Sequence, residues 1–397
     1  MKYEIQNTPQ LRFPGFEGEF EYKKLGDTCN IIMGQSPNSK SYNENGEGYY
    51  LIQGNADIKN RTTCPRQWTN MPTKICEIGD IILTVRAPVG AVAKSIHNAC
   101  IGRGVCVIRN SVKYDLEYIY QFLLDFETKW GKLEQGSTFT AVSGNDIKSI
   151  KNAFPTLPEQ QKIASFLSAV DEKIQQLSRK KELLEQYKKG TMQQLFSGKL
   201  RFAAENGEDY PDWEKKKLGE VCEKIGDGLH GTPIYSEDSD IYFVNGNNLA
   251  NGKIEITEKT KKVNYAIFKK NDKRLNVNTI LISLNGTIGN IAKYNNEKLM
   301  LGKSVGYFNF KENADFYFHF LKTEAIQNFF TSELTGSTIK NLSLKTLRET
   351  EISLPCIEEQ QKIANFLTNI DTKIESTSQQ INQTQNFKKG LLQQLFV

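Results

Sequence analysis

Cysteines and long apolar runs are sparse in this sequence, and each shortage argues against a class of protein. The 397 residues include seven cysteines, an odd number whose scattered spacing is typical of reduced thiols in a cytoplasm rather than of a disulfide framework. No run of about 18 apolar residues is present, so no transmembrane helix is expected. The first residues form no apolar stretch, so no secretory signal peptide is expected. The sequence therefore predicts a cytoplasmic protein without a membrane role.

Short motifs of catalytic and cofactor sites are also absent. The chain has three histidines, which lie far apart, and no His/Cys cluster has the spacing of a metal site. Gly302-Lys303-Ser304 resembles the end of a phosphate-binding loop, but Glu297 stands where that loop needs a glycine. No Gly-x-Gly unit for a nucleotide cofactor and no Asn/Asp-Pro-Pro-Tyr/Phe tetrad of amino-methyltransferases occurs. We therefore expect no catalytic residue, metal or cofactor in this chain.

The length of the chain predicts its number of domains, and its charge bears on nucleic-acid binding. A chain of 397 residues exceeds one ordinary domain of about 100–200 residues, so two or three domains are expected. Lys and Arg number 51 against 46 Asp and Glu, which gives a formal charge of +5. This mild excess of positive charge is compatible with nucleic-acid binding but does not require it.

An internal repeat dominates the sequence. Residues 159–196 and 359–396 align without a gap at an offset of 200 residues, and 19 of these 38 aligned positions are identical. A weaker repeat precedes them, in which Lys23-Lys24-Leu25-Gly26 matches Lys216-Lys217-Leu218-Gly219. The chain therefore contains two copies of one scaffold. We expect domains at 1–155 and 200–353, followed by long helical segments at 156–199 and 354–397.

The phase of the repeat connects the two ends of the chain. Leu200-Arg201-Phe202 follows the first helical segment, and the same tripeptide occurs near the N-terminus as Leu11-Arg12-Phe13. The N-terminal strip therefore resembles a continuation of the C-terminal helix. We expect a chain that closes on itself with a pseudo-twofold arrangement.

Apolar residues recur at alternating spacings of four and three in both helical segments. Those of the first are Ile163, Leu167, Val170, Ile174 and Leu177, and those of the second are Ile363, Leu367, Ile370 and Ile374. This spacing predicts a coiled-coil seam. A helix of this kind spans about 55 Å at about 1.5 Å per residue. Because each helix has a single seam, we expect the two helices to pack together as a rigid spacer.

The regions between the helical segments have mixed α+β character. Short runs rich in Ile, Val and Tyr predict strands at 49–52, 81–85, 104–108, 241–244 and 279–283. Residues 115–130 and 315–330 read as helices at matching positions, each opened by a capping aspartate, Asp115 or Asp315. The predicted fold class is therefore α+β, with two similar domains separated by two long helices.

Polar and basic residues on glycine-rich turns are the candidate DNA contacts. Arginine on such a turn suits forked contacts with guanine or phosphate, and Asn or Gln can read adenine. The candidates of the first copy are Gln35, Ser36, Gln53, Asn55, Arg86, Arg103, Ser137 and Thr138. Those of the second copy are His230, Thr232, Asn245, Asn247, Asn285, Lys303, Ser337 and Thr338. For the amides, an ordinary turn-stabilising role is an equally good explanation.

Positions that differ between the copies are the better candidates for specificity. These pairs are Gln35 with His230, Arg86 with Asn285, and Arg103 with Lys303. A further signal is the stretch 258–274, which carries seven Lys/Arg and two Asp/Glu with interleaved aromatic residues. Taken alone, that stretch is more typical of a solvated basic face.

The whole organisation resembles the specificity subunit of type I restriction–modification enzymes. Leu157–Phe196 and Leu354–Phe396 look like the two helical regions of that family, with Glu-Gln-Gln-Lys-Ile-Ala near the start of each. Cys356-Ile357-Glu358 looks like a three-residue insertion in the second copy. Residues 15–155 and 205–353 look like the two target-recognition domains.

The resemblance implies a non-catalytic subunit that binds double-stranded DNA. Each recognition domain would read one half of an asymmetric bipartite site in the major groove. The helices would pack antiparallel, set the gap between the half-sites and dock two methyltransferase subunits. Those subunits would bind S-adenosylmethionine and methylate adenine N6, and restriction subunits using ATP and Mg²⁺ would join them. A coiled-coil scaffold without a DNA role, or a self-contained DNA-modifying enzyme, remains the alternative.

Overall fold

The computed structural model of the chain divides into two compact units. Unit 1 comprises Met1–Arg179 with Ser378–Val397, and unit 2 comprises Lys180–Thr377. The described residues are 8–110, 113–130, 141–336 and 340–396. No helix in this described part combines the length and the apolar character needed to cross a membrane.

Unit 1 contains thirteen strands. They are β1 (Glu21–Lys24), β2 (Cys29–Met33), β3 (Tyr42–Asn43), β4 (Tyr49–Ile52), β5 (Ile58–Lys59), β6 (Thr62–Thr63), β7 (Gln67–Thr69), β8 (Ile75–Cys76), β9 (Ile81–Thr84), β10 (Val92–Lys94), β11 (Ala99–Ile101), β12 (Val105–Asn110) and β13 (Lys151–Phe154). Its helices are α1 (Leu25–Thr28), α2 (Leu116–Phe126), α3 (Gly144–Ser149) and the first half of α4 (Leu157–Phe196). The count of strands applies to the described residues.

Unit 1 consists of two sheets and a layer of helices, with one apolar core between the sheets and another between a sheet and the helices. One sheet has the strand order β2-β12-β9-β10-β6-β5, and the other has the order β3-β7-β4-β11-β8. Alternate residues of β9 face opposite sides: Ile82 joins the core between the two sheets, whereas Ile81 and Leu83 face the helices. Successive side chains of a strand point to opposite faces, and both faces of β9 are buried. The strand is therefore apolar without a break over Ile81, Ile82 and Leu83.

Unit 2 repeats this arrangement with fewer strands. Its strands are β14 (Glu214–Lys217), β15 (Cys222–Asp227), β16 (Ile241–Val244), β17 (Leu249–Ala250), β18 (Lys253–Ile254), β19 (Lys262–Val263), β20 (Thr279–Ser283), β21 (Ile291–Lys293), β22 (Leu299–Leu301), β23 (Val305–Phe310) and β24 (Glu351–Leu354). Its helices are α5 (Leu218–Val221), α6 (Tyr265–Asn271), α7 (Ala314–Leu321), α8 (Glu324–Ser332), α9 (Leu344–Glu349) and the first half of α10 (Ile357–Leu395).

The central strands of the sheets in unit 2 match those of unit 1 in order and direction. The order β15-β23-β20-β21 corresponds to β2-β12-β9-β10, and the antiparallel pair β14-β24 corresponds to β1-β13. The parallel pair of β16 with β22 corresponds to that of β4 with β11. The prediction of two similar α+β domains is therefore confirmed, and all five predicted strands are present with ends shifted by two residues or fewer.

The predicted helix cap in the second copy is wrong. Asp115 caps α2 as predicted, because its side chain accepts the N–H of Tyr118 at 2.8 Å. In unit 2 the N-cap position is Asn313, and Asp315 lies in the first turn of α7, where it pairs with Lys293. The predicted helix also ends at Leu321, and α8 begins at Glu324 after a break. The loops of the two copies differ in length, so the assumed alignment of Asp315 with Asp115 was wrong.

The proposed three-residue insertion in the second copy is also wrong. Strands β13 and β24 begin at positions 151 and 351, so the offset of 200 residues extends back through both. The side chain of Gln160 donates to the carbonyl of Pro155 at 2.8 Å, and Gln360 donates to that of Pro355 at 2.9 Å. Pro355 is therefore the counterpart of Pro155 rather than of Pro158, and both long helices start at equivalent positions.

Each unit pairs the start of one long helix with the end of the other. In unit 1 the ammonium of Lys388 lies 2.6 Å from the carboxylate of Asp171, and in unit 2 Lys188 lies 2.5 Å from Asp371. The two ion pairs join equivalent residues of the repeat, with the two helices exchanged between them. Since residue 394 lies near residue 159 through the N-terminal strip, the helix segments within unit 1 run antiparallel.

The N-terminal strip occupies the predicted place. The N–H of Leu11 donates to the carbonyl of Gln394 at 3.0 Å, and the N–H of Leu200 donates to that of Gln194 at 3.1 Å. Phe13 and Phe202 make the matching ring contacts with the long helices, at centroid distances of 5.5 and 5.6 Å. The strip of unit 1 therefore makes the contacts that the continuous chain makes in unit 2.

The apolar seam of the long helices is buried, and it joins the cores of the domains as well as the facing helix. The buried seam residues are Ile163, Leu167, Val170, Leu177, Ile363, Leu367 and Ile370, whereas Ile174 and Ile374 are half-buried. In unit 1 the seam packs with Tyr118 and Phe122 of α2 and with Leu391 and Leu395 of α10. Because these side chains are buried, we expect polar substitutions at these positions to destabilise the unit that contains them.

A buried histidine distinguishes the polar cluster of unit 2. His319 is 1% exposed, and its Nε2 lies 3.3 Å from the Oγ1 of Thr368. Its Nδ1 lies 3.9 Å from the Oδ2 of Asp371 and has no hydrogen-bond partner among the residues that the structure describes. Burial, together with the positive charge of Lys188 and other lysines, lowers the pKa of His319 to about 2. The equivalent residue of unit 1 is Gln121, whose Nε2 donates to Asp171 at 2.9 Å.

We expect unit 2 to lose stability on mild acidification, and His319→Gln to remove that loss. The folded pKa lies below the value of about 6.5 in the unfolded chain, so the unfolded state gains a proton below that pH while the native state does not. Between about pH 7 and about pH 5.5 this costs about 1 kcal/mol. Hydrogen exchange of unit 2 amides measures it, and Gln121→His should add the same dependence to unit 1. An unchanged pH response in His319→Gln would contradict the assignment.

Candidate nucleic-acid interface

The candidate residues of unit 1 lie together where strands end at one side of the two sheets. The N–H of Gln35 donates to the carbonyl of Ile101 at 2.9 Å, and the N–H of Gly102 donates to that of Ile52 at 2.8 Å. These bonds place the segments after β2, β4 and β11 side by side. We call this group edge 1, and its members are Gln35, Ser36, Gln53, Asn55, Arg86 and Arg103.

Close backbone contacts fix the loops of edge 1. A Cβ on Gly104 would lie 2.0 Å from the carbonyl oxygen of Gln53, so only glycine fits there. The N–H of Arg103 donates to the Oγ of Ser36 at 3.1 Å. Arg86 joins the group because the N–H of Val85 before it donates to the carbonyl of Gly104 at 2.9 Å. The two arginines are therefore carried on rigid turns.

The side chains of edge 1 divide into exposed and internally bonded groups. Arg86 and Arg103 are exposed, and neither pairs with a carboxylate in the described part of the chain. Gln53 is half-buried and donates from Nε2 to the Oε1 of Gln67 at 3.1 Å. Gln67 was missed by the sequence analysis because only the antiparallel pairing of β7 with β4 brings it to this position.

A buried carboxylate supports the turn after β4. Asp57 is 4% exposed, and its Oδ2 accepts the N–H of Gln53 at 2.8 Å. Its Oδ1 lies 3.1 Å from the guanidinium of Arg66. This arrangement positions Gln53 and Asn55 and leaves Asn55 exposed. Asp57 therefore has a positioning role that the sequence analysis did not assign.

Unit 2 forms the matching edge 2 with different side chains. The N–H of Leu229 donates to the carbonyl of Leu301 at 2.7 Å, and the N–H of Leu284 donates to that of Ser304 at 2.8 Å. These bonds bring the equivalent turns together. The candidate members of edge 2 are His230, Thr232, Asn245, Asn247, Asn285 and Lys303.

Asn245 of edge 2 makes its hydrogen bonds within the turns of that edge. Asn245 accepts the Oγ hydrogen of Ser304 at 3.1 Å, and a Cβ on Gly302 would lie 2.2 Å from the Oδ1 of Asn245. The backbone N–H of Asn245 donates to the Oδ1 of Asn248 at 3.0 Å. The acceptor of Asn245 is thus turned inward, which favours a turn-stabilising role for this residue.

Other members of edge 2 face outward. His230, Thr232, Asn247 and Lys303 are exposed, and Asn285 is half-buried. The ring of His230 is held by Asp227, with Nε2 2.6 Å from Oδ2. Lysine presents a compact charge and the histidine one remaining ring nitrogen, whereas the arginines of edge 1 present forks. The two edges therefore offer different hydrogen-bonding groups on the same frame.

The structural alignment of the edges corrects one predicted pair. Because the backbone bonds of Gln35 and Leu229 are equivalent, Ser36 rather than Gln35 is the counterpart of His230. The pairs Arg86 with Asn285 and Arg103 with Lys303 agree with the structure, since the same bridges and turn bonds flank them. Ser137, Thr138, Ser337 and Thr338 lie outside the described residues.

The surface of the long helices carries residues that the periodicity analysis missed. Tyr187 is 55% exposed in unit 2, and Phe387, its counterpart at an offset of 200 residues, is 56% exposed in unit 1. Single exposed apolar residues are common on protein surfaces, and aromatic residues are enriched at protein interfaces. Their equivalence could have been found by comparing the polar faces of the repeats as well as the apolar seam.

A family model and several relatives match the chain. The model described as the type I restriction modification DNA specificity domain matches residues 17–186 and again 210–386. A putative type I restriction enzyme MjaX specificity subunit of Methanocaldococcus jannaschii is 40% identical over 186 residues, which is 46% of this chain and 44% of that protein. The type I restriction enzyme MjaVIII specificity subunit of the same organism is 26% identical over 411 residues, which is 98% of this chain and 95% of that protein.

Solved structures share the fold. The type I restriction–modification S subunit of M. genitalium superposes with a TM-score of 0.63 at 18% identity, and the match covers 98% of this chain and 99% of that chain. A chain from a study of complex assembly and conformational transition in the type I R-M system gives a TM-score of 0.56 at 18% identity, covering 96% and 98%. At this identity the likeness is one of fold.

Proposed function

We propose, since this chain belongs to the family of type I restriction modification DNA specificity domains, that it selects the DNA site of a type I restriction–modification enzyme. The observation that carries the proposal is the pair of edges, which share one frame of backbone bonds but differ in their outward side chains. A protein that reads two different short sequences needs this combination of constant frame and variable contacts. Unit 1 and unit 2 each read one half of an asymmetric bipartite site.

Base reading is assigned to the exposed groups of the edges. Arg86 and Arg103 suit forked contacts with guanine O6 and N7 in the major groove, and Asn55 and Asn247 suit adenine. Lys303 donates single hydrogen bonds to base or phosphate acceptors, and His230 offers the ring nitrogen that Asp227 does not hold. The chain itself supplies no chemistry in this proposal and directs partner subunits to the site.

Partner docking is assigned to the long helices. On the long helices, Tyr187 and Phe387 are exposed aromatic residues at equivalent positions of the repeat. Two equivalent surfaces suit two copies of one partner, which we take to be methyltransferase subunits that bind S-adenosylmethionine and methylate adenine N6. Restriction subunits that use ATP and Mg²⁺ complete the assembly. The seven free cysteines support a reducing, cytoplasmic location.

A methylation map tests the proposed function. The chain and its neighbouring methyltransferase gene are expressed in a host without adenine methylation, and the genome is mapped with and without the chain. We expect a split motif that depends on the chain. Absence of the motif, with the partner shown to be folded and bound, would favour the scaffold alternative. Methylation or cleavage by the purified chain alone would favour the self-contained enzyme.

A further inference from the structure

Unit 2 carries a row of lysines that edge 2 does not include. We define the lysine track as Lys259, Lys261, Lys262, Lys269 and Lys270. Four of them are exposed, and Lys262 lies over the ring of Tyr242, 5.6 Å from its centroid. None of the five pairs with a carboxylate in the part of the chain that the structure describes. Glu258 and Asp272 flank the track in the sequence, and Asp240 lies near Lys262. The five lysines outnumber these carboxylates, so the surface favours an anionic ligand.

The track begins at edge 2 and leads away from it. The Nδ2 of Asn248, next to the turn that carries Asn247, lies 3.4 Å from the Oγ1 of Thr260. The chain then passes beside β16, because the N–H of Phe243 donates to the carbonyl of Lys261 at 2.7 Å. Residues 258–260 form a turn, in which the N–H of Thr260 donates to the carbonyl of Thr257 at 2.9 Å. At about 3.3 Å per residue, residues 261–264 then extend for about 13 Å, the length of about four base pairs of DNA.

Helix α6 turns the end of the track outward. Asn264 caps the helix by accepting the N–H of Ile267 at 2.9 Å. Ile267 and Phe268 pack on the apolar cluster formed around Phe243. Lys269 and Lys270 are left on the exposed face. The amphipathic sequence of this short helix thus fixes where its two lysines point.

Unit 1 has no counterpart of the track among its described residues. Trp68 pairs with Tyr50, at the position where Lys262 pairs with Tyr242 in unit 2. Strand β8 occupies the connection that contains α6 in unit 2. The arginines of this part of unit 1 are neutralised, since Arg61 pairs with Glu127 and Arg66 with Asp57. Lys59 and Lys74 are exposed in this part of unit 1, but among the described residues only unit 2 carries five lysines in one such stretch.

We propose that the lysine track binds the phosphates of duplex DNA flanking the half-site of unit 2, so that unit 2 anchors the protein to the DNA backbone more strongly than unit 1 does. This inference rests on the proposed function and adds a contact outside the recognised bases. Lysine neutralises phosphate as a point charge and reads no sequence. The track therefore contributes affinity and salt dependence, and leaves the chosen sequence unchanged.

The test replaces Lys259, Lys261, Lys269 and Lys270 by glutamine in the complex with the methyltransferase subunits. DNA affinity is measured against salt concentration on a duplex containing the mapped site. Each lost phosphate contact lowers the slope of log K against log salt by about 0.9, so we expect a decrease of about 2–4 with the methylation motif unchanged. The control variant replaces Lys24, Lys148, Lys151 and Lys215, which are also exposed, and should leave the slope near that of the unmodified complex.

A second measurement locates the contact on the DNA. The duplex is shortened to end at the half-site of unit 2, or at that of unit 1. We expect the unmodified complex to lose affinity only when the unit 2 flank is removed, and the glutamine variant to be indifferent to it. An unchanged slope in the variant, or an altered motif, overturns the inference while the proposed function stands. If the unmodified complex binds no DNA, the proposed function itself fails.

Discussion

Replacing Arg86 and Arg103 together by alanine should relax the half-site of unit 1 and leave that of unit 2 intact. Both guanidinium groups are exposed on turns fixed by close backbone contacts, so their removal takes away contacts without disturbing the frame. A forked arginine contact discriminates its base by about 1–3 kcal/mol, and two contacts by about 2–6 kcal/mol. Affinity for the full site should therefore fall by at least about 30-fold. A methylation map of the variant measures both effects.

The matched variant lies at the equivalent positions of unit 2. Asn285→Ala with Lys303→Ala should relax the other half-site and spare that of unit 1. The comparison separates readout from folding, since a general loss of stability would weaken both halves of the motif. If either variant erased both halves, or if the double arginine variant kept the full motif, the assignment of edge 1 to base reading would be refuted.

The repeat and its periodicities predicted the frame because they depend on local rules. Buried strands such as β9 are marked by β-branched apolar runs, and the long helices by a seam at alternating spacings of four and three. The identical segments at an offset of 200 residues report two copies whatever the intervening loops do. Even the contact of Leu11 with the C-terminal helix followed from the position of a repeated tripeptide.

The details of the edges depend on strand pairing, which the sequence alone does not reveal. Loop lengths differ between the copies, so the offset between equivalent residues changes along the chain. Counting from a neighbouring motif therefore set Gln35 against His230, and Asp315 against Asp115, when the hydrogen bonds show other partners. For the same reason Asn245 looked like a base contact, although its acceptor is used by Ser304 within the loop.

Arg12→Ala should destabilise unit 1 more than Arg201→Ala destabilises unit 2. The carboxylate of Glu159 is buried, and both its oxygens accept from Arg12 at 2.8 Å. Removing one partner of a buried pair costs about 3–5 kcal/mol, because the remaining charge stays out of water. The N-terminal strip of unit 1 is therefore an integral part of its fold. Hydrogen exchange of the amides in each unit measures the loss of unfolding free energy unit by unit.

The smaller effect in unit 2 follows from one additional donor. Glu359 accepts from Arg201 and also from the indole Nε1 of Trp213 at 3.0 Å, and a hydrogen bond to a charged group contributes about 1.5–3 kcal/mol. Phe20 stands at the equivalent place in unit 1, where Arg12 lies 5.2 Å from the ring centroid. Phe20→Trp should therefore recover part of the stability lost in Arg12→Ala. If the two arginine variants lost equal unfolding free energy, the indole of Trp213 would not compensate for the missing arginine. The buried glutamates of the two units would then depend equally on their arginines.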